Sequence, residues 1–484
     1  MKLLKELLHG LSLKSIVGNT SISISSIHVN SLDVTSTSLF IAIKGENNNG
    51  HDFISDAIFS GAIAIICEDL PNKIIDNTTY VQVEKSTFAL GLIASTFYNN
   101  PSRNIKLIGV TGTNGKTSTV YYLSDLFKQL KFRVGLISTI ENRINNRTYS
   151  TTHTTPDPIT LNKLLKEMVD QNCDFCFMEV SSHGISQNRI AGLDFDVGLF
   201  TNISRDHLDY HQSFRDYIAA KKHFFDQLSP DAISIINIDD AHGAHMVLDT
   251  KSHQVFYSFK NQSHYQGLFL ESNLNGLSIK IDNIEISTKL TGYFNGYNML
   301  AAYVVASELK QDKKEVLTLL SDLDPVPGRF NTIQSKANII GVVDYAHTPD
   351  ALQQVLKTVS SLCDLKKDLI IVLGCGGNRD QGKRPLMGKI AAENSRLSIF
   401  TSDNPRWEDP DAIIEDMCTD LSKKTCDNIK IITNREEAIY FAVNQASSGT
   451  VILVAGKGHE KFQESNGIKS PFDDLLVLEN FLKQ

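Results

Sequence analysis

Apolar runs of strand length recur along this chain, and most of them lead into a stretch with helical spacing. "IKLIGV" opens onto a glycine-rich turn and then onto the helical "TSTVYYLSDLFKQL". "FRVGLIST", "CDFCFMEV", "VGLFTNI" and "ISIINI" are further buried strands, with helical stretches between several of them. That alternation predicts a mostly parallel sheet with helices on both faces. A polar stretch at 250–290 reads as shorter alternating strands, an antiparallel addition, and "NMLAAYVVASELK" as a strong helix. "DPVPGRF" then breaks the pattern, and "NIIGVVDYA", "DLIIVLGCGG", "RLSIF", "IKIIT" and "VILVAG" start a second strand–helix series. Before residue 101 the chain is rich in Ser, Asn, Ile and Val. There "SLFIAI" and "AIAIIC" are predicted strands, "HDFISDAIFSGA" a helix and "YNNPSRNIK" a linker. A chain of 484 residues is long enough for about three domains. The expected fold is therefore three-domain α/β: a smaller N-terminal α/β domain (1–100), a central P-loop-type domain with a mostly parallel sheet (101–328), and a C-terminal Rossmann-like domain (329–484).

Composition removes several functional classes. Hydrophobic residues make up 41% and charged residues 21%, as in ordinary globular proteins. A net charge of −8 argues against a nucleic-acid binder. No apolar run approaches the ~20 residues needed to span a bilayer, so no membrane partner is expected. The opening "MKLLKELLHGLSLKSIVG" reads as a short amphipathic helix rather than a signal peptide. Seven scattered cysteines suit a reducing compartment, and a cytoplasmic location is expected. Cys173 and Cys176 form a CxxC without a matching second pair; they are expected on opposite faces of a strand, as small buried apolar residues.

The residues with chemistry gather at predicted strand ends. "VTGTNGKTS" (110–118) follows a strand and opens a helix, so its N–H groups can cradle phosphates. Gly112, Thr113, Asn114, Gly115, Lys116, Thr117 and Ser118 form this loop. Lys116 is placed to reach the terminal phosphates, and Thr117 to hold Mg²⁺. The glycine spacing departs from the usual GxxxxGK, yet the intact GKT favours phosphate binding. Glu179 in "FMEVSSHG" ends a buried strand, where a carboxylate needs either a metal or an ion-pair partner. "FTNISRDHLDYH" concentrates Asp206, His207, Asp209 and His211, with metal, base and capping roles all open. Lys221 and Lys222, on the following helix, read from the residues alone as a solvated face. "VVDYAHTPDAL" places Asp344 and His347 at a strand end, with Asp350 placed to cap the next helix. "GCGGNRDQGKRP" has Arg379 where a dinucleotide fingerprint needs its third glycine. With Lys383 and Arg384, the loop suits a phosphate or carboxylate better than NAD. "TSDNPRWEDP" and "VAGKGHEKFQ" add Asp403, Asn404, Pro405, Arg406, Gly456, Lys457, His459 and Glu460. In an open α/β sheet the strand ends of the last domain face one crevice, and the central glycine-rich loop is expected to face it from the other side.

In this order the motifs resemble the Mur ligases, ATP-dependent amide-forming enzymes of bacterial cell-wall synthesis, and among them the branch that adds meso-diaminopimelate. GTNGKT alone is shared with folylpolyglutamate synthetases, whereas "TNISRDHLDYH", "GCGGNRDQGKRPLMG", "DNPR" and "GKGHE" are more specific. The resemblance implies ATP and Mg²⁺, with UDP-MurNAc-L-Ala-D-Glu and meso-diaminopimelate as small-molecule substrates and a monomeric enzyme. It implies that Lys116 and Thr117 bind ATP phosphate and magnesium, and that Glu179 and His207 help hold the metal. It also implies that Lys221 is carbamylated and becomes a further metal ligand, against the solvated-face reading. Asn295, Arg329, Asp344 and His347 match nucleotide contacts. Thr154, Thr155, Ser181, Gln187 and Arg189 match positions that hold the UDP-linked substrate. Arg379, Asp403, Asn404, Pro405, Arg406, Gly456 and Glu460 match the amino-acid pocket. Where the family carries a DSR-like signature this chain reads "NSLDVTSTSLF", keeping Ser31 but placing Leu32 where the arginine stands.

The implied reaction forms an acyl phosphate, which the amino acid's amine then attacks. Arg406 would meet the distal carboxylate of diaminopimelate, a group lysine lacks, and Glu460 its distal ammonium. The rival readings are a ligase of the same family using L-lysine, a folylpolyglutamate synthetase and a non-ligase P-loop switch.

Overall fold

A computed structural model describes residues 1–483 except 46–47, 274–275, 362 and 423–426. The chain is α/β throughout, as expected, and divides into two compact units. The first comprises residues 1–109, 131–198 and 227–233; the second comprises 110–130, 199–226 and 234–484. The division crosses the strand Lys106–Thr111, just ahead of the glycine-rich loop.

The first unit opens with a five-stranded sheet. Its order is Leu13–Val17, Thr79–Val83, Ala62–Cys67, Ser38–Ile41, Ser26–His28, parallel except for the first, antiparallel, strand. Strands buried on both faces read as unbroken apolar runs, which is why "SLFI" and "AIAIIC" were legible. One face packs on the helix Ser86–Phe97 through Leu39, Ile41, Ile66, Leu90 and Ile93. Gly91 on that helix lets a backbone pass close: a Cβ there would lie 2.6 Å from the Ala191 carbonyl oxygen. Further along, Val134–Ile137 runs parallel to Phe175–Glu179 and antiparallel to Asn142–Ile144. Cys176 lies on the second of these strands, while Cys173 precedes it; both are buried free thiols, so the pair does not share a strand as expected.

In the second unit, Tyr265–Asn273, Gly276–Ile281 and Ile284–Thr288 form the antiparallel meander expected between 250 and 290. The helix Tyr293–Glu308 is buried along most of its length, and its Asn295 accepts from the Tyr122 hydroxyl (2.9 Å) on the helix Lys116–Gln129. The last part of the unit is a six-stranded sheet. Its order is Asn331–Gln334, Ile340–Asp344, Val451–Ala455, Leu369–Leu373, Leu397–Phe400, Ile429–Ile431. All pairs are parallel except the antiparallel first.

Successive strand residues alternate between the two faces of this sheet. Val342, Leu369, Ile371, Val451 and Leu453 pack on the helices Pro349–Val359, Arg384–Glu393 and Pro410–Cys418. Val343, Ile370, Val372, Ile452 and Val454 pack on Arg435–Asn444 and Asp474–Leu482. The helix Pro349–Val359 is capped by Thr348, whose hydroxyl accepts from the Ala351 N–H (3.2 Å). Asp350, expected as the cap, sits inside the first turn instead.

Two fully buried side chains join the helices on the second face: Arg435 donates to both Asp474 carboxylate oxygens at 2.7 Å and to the Ala455 carbonyl at 3.0 Å. Removing one partner strands a buried charge. Asp474→Ala should therefore lower unfolding free energy by about 3–5 kcal/mol in urea titration, whereas Arg435→Met with Asp474→Leu should recover most of that. A loss under ~1 kcal/mol in the single variant would show that the pair contributes no net stability.

Candidate active site

The loop 111–115 joins a buried strand to the helix Lys116–Gln129, whose first N–H groups face the loop. Gly115 is its N-cap with φ +87°, and Gly112 has φ +151°. A Cβ at Gly112 would lie 1.9 Å from the Thr201 hydroxyl, so no other residue fits without moving the loop. The loop is pinned by Thr201 and Asn202, which follow the strand Val197–Phe200. Asn202 accepts from Thr113 N (2.8 Å, backbone) and Asn114 N (3.0 Å, side chain), while the Thr201 hydroxyl donates to the Asn114 carbonyl (2.7 Å). Thr113 Oγ1 meets the Tyr217 hydroxyl at 3.0 Å.

Two lysines converge on one carbonyl. Gly112 O accepts from Lys116 Nζ (2.9 Å) and Lys221 Nζ (2.8 Å), and Lys116 also donates to Thr113 O (2.9 Å). Lys221 is 1% exposed, so the solvated face read from the residues alone is wrong for it. Burial, and then the charge of Lys116, hold its amine well below the ordinary lysine range. Lys222, one residue on, is ion-paired with Asp226 (2.7 Å) and Asp249 (2.5 Å).

Asp206 is buried beside this loop. Its Oδ2 lies 3.3 Å from His207 Nε2 and 3.9 Å from His347 Nε2, and its Oδ1 3.9 Å from Lys383 Nζ. Burial opposes its ionisation, but the charges of His207, Lys383 and His347 together hold the carboxyl well below its usual range. His347 is held below the ordinary histidine value, first by burial and then by Lys383. His207 itself stands at φ +55°.

Other residues of the same unit reach the loop. Arg329 Nη2 donates to Thr117 Oγ1 (3.1 Å), and its guanidinium lies over the Tyr345 ring, 4.4 Å from the centroid. Asn114 Nδ2 donates to Asp350 Oδ2 (2.9 Å). Asp344 accepts from Phe330 N and Ala346 N, and burial pushes its carboxyl up to about 6 against the pull of Arg329. Asn295 is engaged within the fold, accepting from Tyr122 and donating to Thr291 O (2.9 Å).

The parallel strands ending at Asp344, Ala455, Leu373 and Phe400 bring four loops to one sheet edge. Asn404 Nδ2 donates to Glu460 Oε2 (2.7 Å), and Arg406 Nη1 to Gly377 O (2.7 Å). Arg406 has φ +53° and is held by a hairpin, Phe462–Ser465 with Ile468–Pro471: Arg406 N donates to Glu464 O, and Asn466 N to Arg406 O. Glu464 Oε2 also lies 3.9 Å from Arg406 Nε. A Cβ on Gly456 would meet Asp403 Oδ2 at 2.7 Å, and one on Gly377 would meet the Pro405 carbonyl at 2.0 Å. Arg379 is exposed at the rim and donates to Asn378 O. Arg384 does not face a ligand: it is 1% exposed and paired with Glu408 (2.9 Å) and Asp416 (2.8 Å), and Glu408, accepting from Asn378 N, braces the glycine-rich loop.

The first unit holds a separate polar cluster. Glu179 is fully buried; its Oε1 accepts from Thr139 N (2.8 Å), and its Oε2 has no hydrogen-bond partner among the described residues. Thr154 meets Thr139 through their hydroxyls (3.0 Å), and Thr155 Oγ1 donates to Glu179 O and accepts from Ser181 N. Arg189 donates to Gln187 Oε1 and Thr155 O. Ser31 is buried in a short 3-10 turn whose neighbour Leu32 is 90% exposed.

Among the described residues no three His, Cys, Asp or Glu side chains form a group that could hold a metal ion. A magnesium ion, however, is ordinarily bound by one or two carboxylates together with waters and substrate phosphates. The orphaned buried oxygen of Glu179 fits such a cation. Sequence spacing did not reveal the Thr201–Asn202 clamp, the Glu408 brace or the 462–471 hairpin, although "SNGI" carried the turn signal for the hairpin.

Three family descriptions match the chain: "Mur ligase family, catalytic domain" over residues 23–98, "Mur ligase middle domain" over 110–306, and "Mur ligase, glutamate ligase domain" over 328–458. The chain belongs to the Mur ligase family. It is 47% identical over 484 residues to the UDP-N-acetylmuramoyl-L-alanyl-D-glutamate--2,6-diaminopimelate ligase of Cytophaga hutchinsonii, covering 99% of both chains. It is 46% identical to the enzyme of that name from Bacteroides thetaiotaomicron, covering 98% of this chain and 99% of the other. A solved structure of a ligase of that name superposes with TM-score 0.69 at 31% identity, covering 99% of this chain and 98% of that one. No helix among the described residues is long and apolar enough to cross a membrane.

Gly112→Ala forces the loop off Thr201. Its affinity for an ATP analogue, read by calorimetric titration, should fall at least tenfold while the urea midpoint moves little. Unchanged affinity would mean that the loop's close seat on Thr201 is dispensable.

Proposed function

We propose that the chain joins meso-2,6-diaminopimelate to UDP-MurNAc-L-Ala-D-Glu at the expense of ATP, in peptidoglycan synthesis. The observation that carries this reading is the clustering of Asn404, Arg406 and Glu460 beyond the ends of Leu397–Phe400 and Val451–Ala455, the two strands that flank Leu369–Leu373, in the same compact unit as the phosphate loop. The relatives at 45–47% identity support the choice of reaction.

In the proposed first step a carboxylate oxygen of the UDP-linked substrate attacks the γ-phosphorus of ATP. A P–O bond forms, the bond to ADP breaks, and an acyl phosphate results. Two anions must approach one another, so the protein's task is charge neutralisation and alignment. The helix N-terminus at Lys116, the Lys116 ammonium and the Arg329 guanidinium supply fixed positive charge. Thr117, His207 and a carbamate on Lys221 would hold Mg²⁺, which neutralises phosphate charge when bound. The Lys221 amine, buried and depressed in basicity, suits that modification: its nitrogen adds to CO₂ and releases a proton. In the second step the amino group of diaminopimelate forms the C–N bond, phosphate leaves, and the amine's proton leaves with it.

Residues 329–484 take the amino-acid role in this reading, 101–328 the nucleotide and 1–100 the UDP moiety. Thr154, Thr155, Ser181, Gln187 and Arg189 then hold the UDP-linked dipeptide. The distal carboxylate of diaminopimelate pairs with Arg406, and a charge-assisted bond of that kind contributes about 1.5–3 kcal/mol.

Amino-acid-dependent ADP release, measured with meso-diaminopimelate, L-lysine and L-ornithine, tests the assignment. Turnover with lysine but not with diaminopimelate would sink it. Arg406→Ala should raise the diaminopimelate KM by roughly 10- to 150-fold and leave the ATP KM nearly unchanged.

A further inference from the structure

Lys457 lies in the amino-acid cluster, and the reaction just described gives it no part. Its side chain is 0% exposed, and its ammonium sits between two residues of the pocket, donating to Asn404 Oδ1 (2.9 Å) and Glu460 Oε2 (3.1 Å). Burying an ammonium is costly, and an apolar side chain of similar length would avoid that cost. Its partners indicate what the charge achieves.

Asn404 can present its amide in two orientations. As it stands, Oδ1 receives two donors, Lys457 Nζ and Glu464 N (2.9 Å), while Nδ2 faces Glu460 Oε2. The flipped amide would set its NH₂ against an ammonium and an N–H, and its oxygen against a carboxylate. Lys457 therefore selects one amide orientation. The same ammonium and the Asn404 amide occupy Glu460 Oε2, leaving Oε1 to accept from an incoming amino group.

Charge gives a second argument. Glu460 faces Asp403, Lys457, Arg435 and the Tyr345 hydroxyl. Burial and then the Asp403 charge push the Glu460 carboxyl up, and Lys457 opposes both. Arg435 is already committed to Asp474.

We propose that Lys457 is a positioning residue of the amino-acid pocket: its buried ammonium locks the Asn404 amide and keeps Glu460 available as an anionic acceptor for the substrate's ammonium. This rests on the reading of the cluster as the amino-acid pocket. Lys457 touches neither the reacting atoms nor, in this arrangement, the substrate.

The test uses the full-length enzyme with steady-state kinetics across pH. In Lys457→Met the meso-diaminopimelate KM rises at least tenfold, kcat falls by less, and the KM values for ATP and the UDP-linked substrate stay within about twofold. The acid limb of kcat/KM for diaminopimelate moves to higher pH, because Glu460 has lost its nearest cation. Glu460→Gln abolishes that limb, and adding Lys457→Met to it produces no further displacement. An unchanged diaminopimelate KM, an equal rise in all three KM values or an unmoved acid limb would overturn the proposal. If Lys457→Met does not fold, Lys457→Gln keeps a donor without the charge, and it should displace the limb with a smaller rise in KM; an unmoved limb there overturns the proposal equally. Failure of the wild-type enzyme to use diaminopimelate removes the substrate assignment instead, and the same KM and pH comparison then applies to whichever amino acid is used.

Discussion

Parallel pairing places the carboxyl ends of neighbouring strands side by side, and the chemistry of the second unit depends on that constraint. Ile340–Asp344, Val451–Ala455, Leu369–Leu373 and Leu397–Phe400 are consecutive neighbours in space, although the second comes last of the four in sequence. Their loops supply Asp344, the GKGHE segment, the glycine-rich 374–380 loop and the 403–406 tetrad. None of these segments could form a pocket alone. The sheet brings them to one edge, and the glycines there allow the close backbone approaches that the pocket needs: Gly377 against the Pro405 carbonyl and Gly456 against Asp403.

The second recurring theme is buried charge. Lys221, Lys383, Arg384, Arg435 and Lys457 are all nearly or fully inaccessible to solvent. Arg384 and Arg435 are matched by carboxylates and brace the scaffold. Lys221 donates to a carbonyl and lies over the Tyr217 ring, but it is buried near a second lysine, so its cationic form is disfavoured. Lys457 is matched by an amide oxygen and a carboxylate that has another carboxylate close by. The two unbalanced arrangements are those that a substrate or a modification would complete.

Strand and helix positions were largely legible because a two-sided parallel sheet produces unbroken apolar runs, and glycine-rich turns mark where they end. The loop 112–118 and the Asn404–Arg406–Glu460 cluster were legible as motifs for the same reason. Asp350 was misjudged as a helix cap because Thr348, two residues earlier, takes that role once the chain is folded. Arg384 looked like a ligand-binding cation because its carboxylate partners, Glu408 and Asp416, lie far along the chain. Lys221 and Lys222 are adjacent letters with opposite environments, and about 100° of rotation around the helix separates burial against the glycine-rich loop from ion pairing nearer the surface.

The sequence by itself determined the class of fold, the glycine-rich loop that opens a helix and the family, since each is carried by local spacing: apolar runs, a glycine-rich turn before a helix, and motifs in a set order. Tertiary structure alone decided which charges are buried, which are matched, and which are left for a ligand. Those properties depend on distances between residues far apart in the chain, such as Lys457 to Asn404 and Asp206 to Lys383, and no local pattern encodes them.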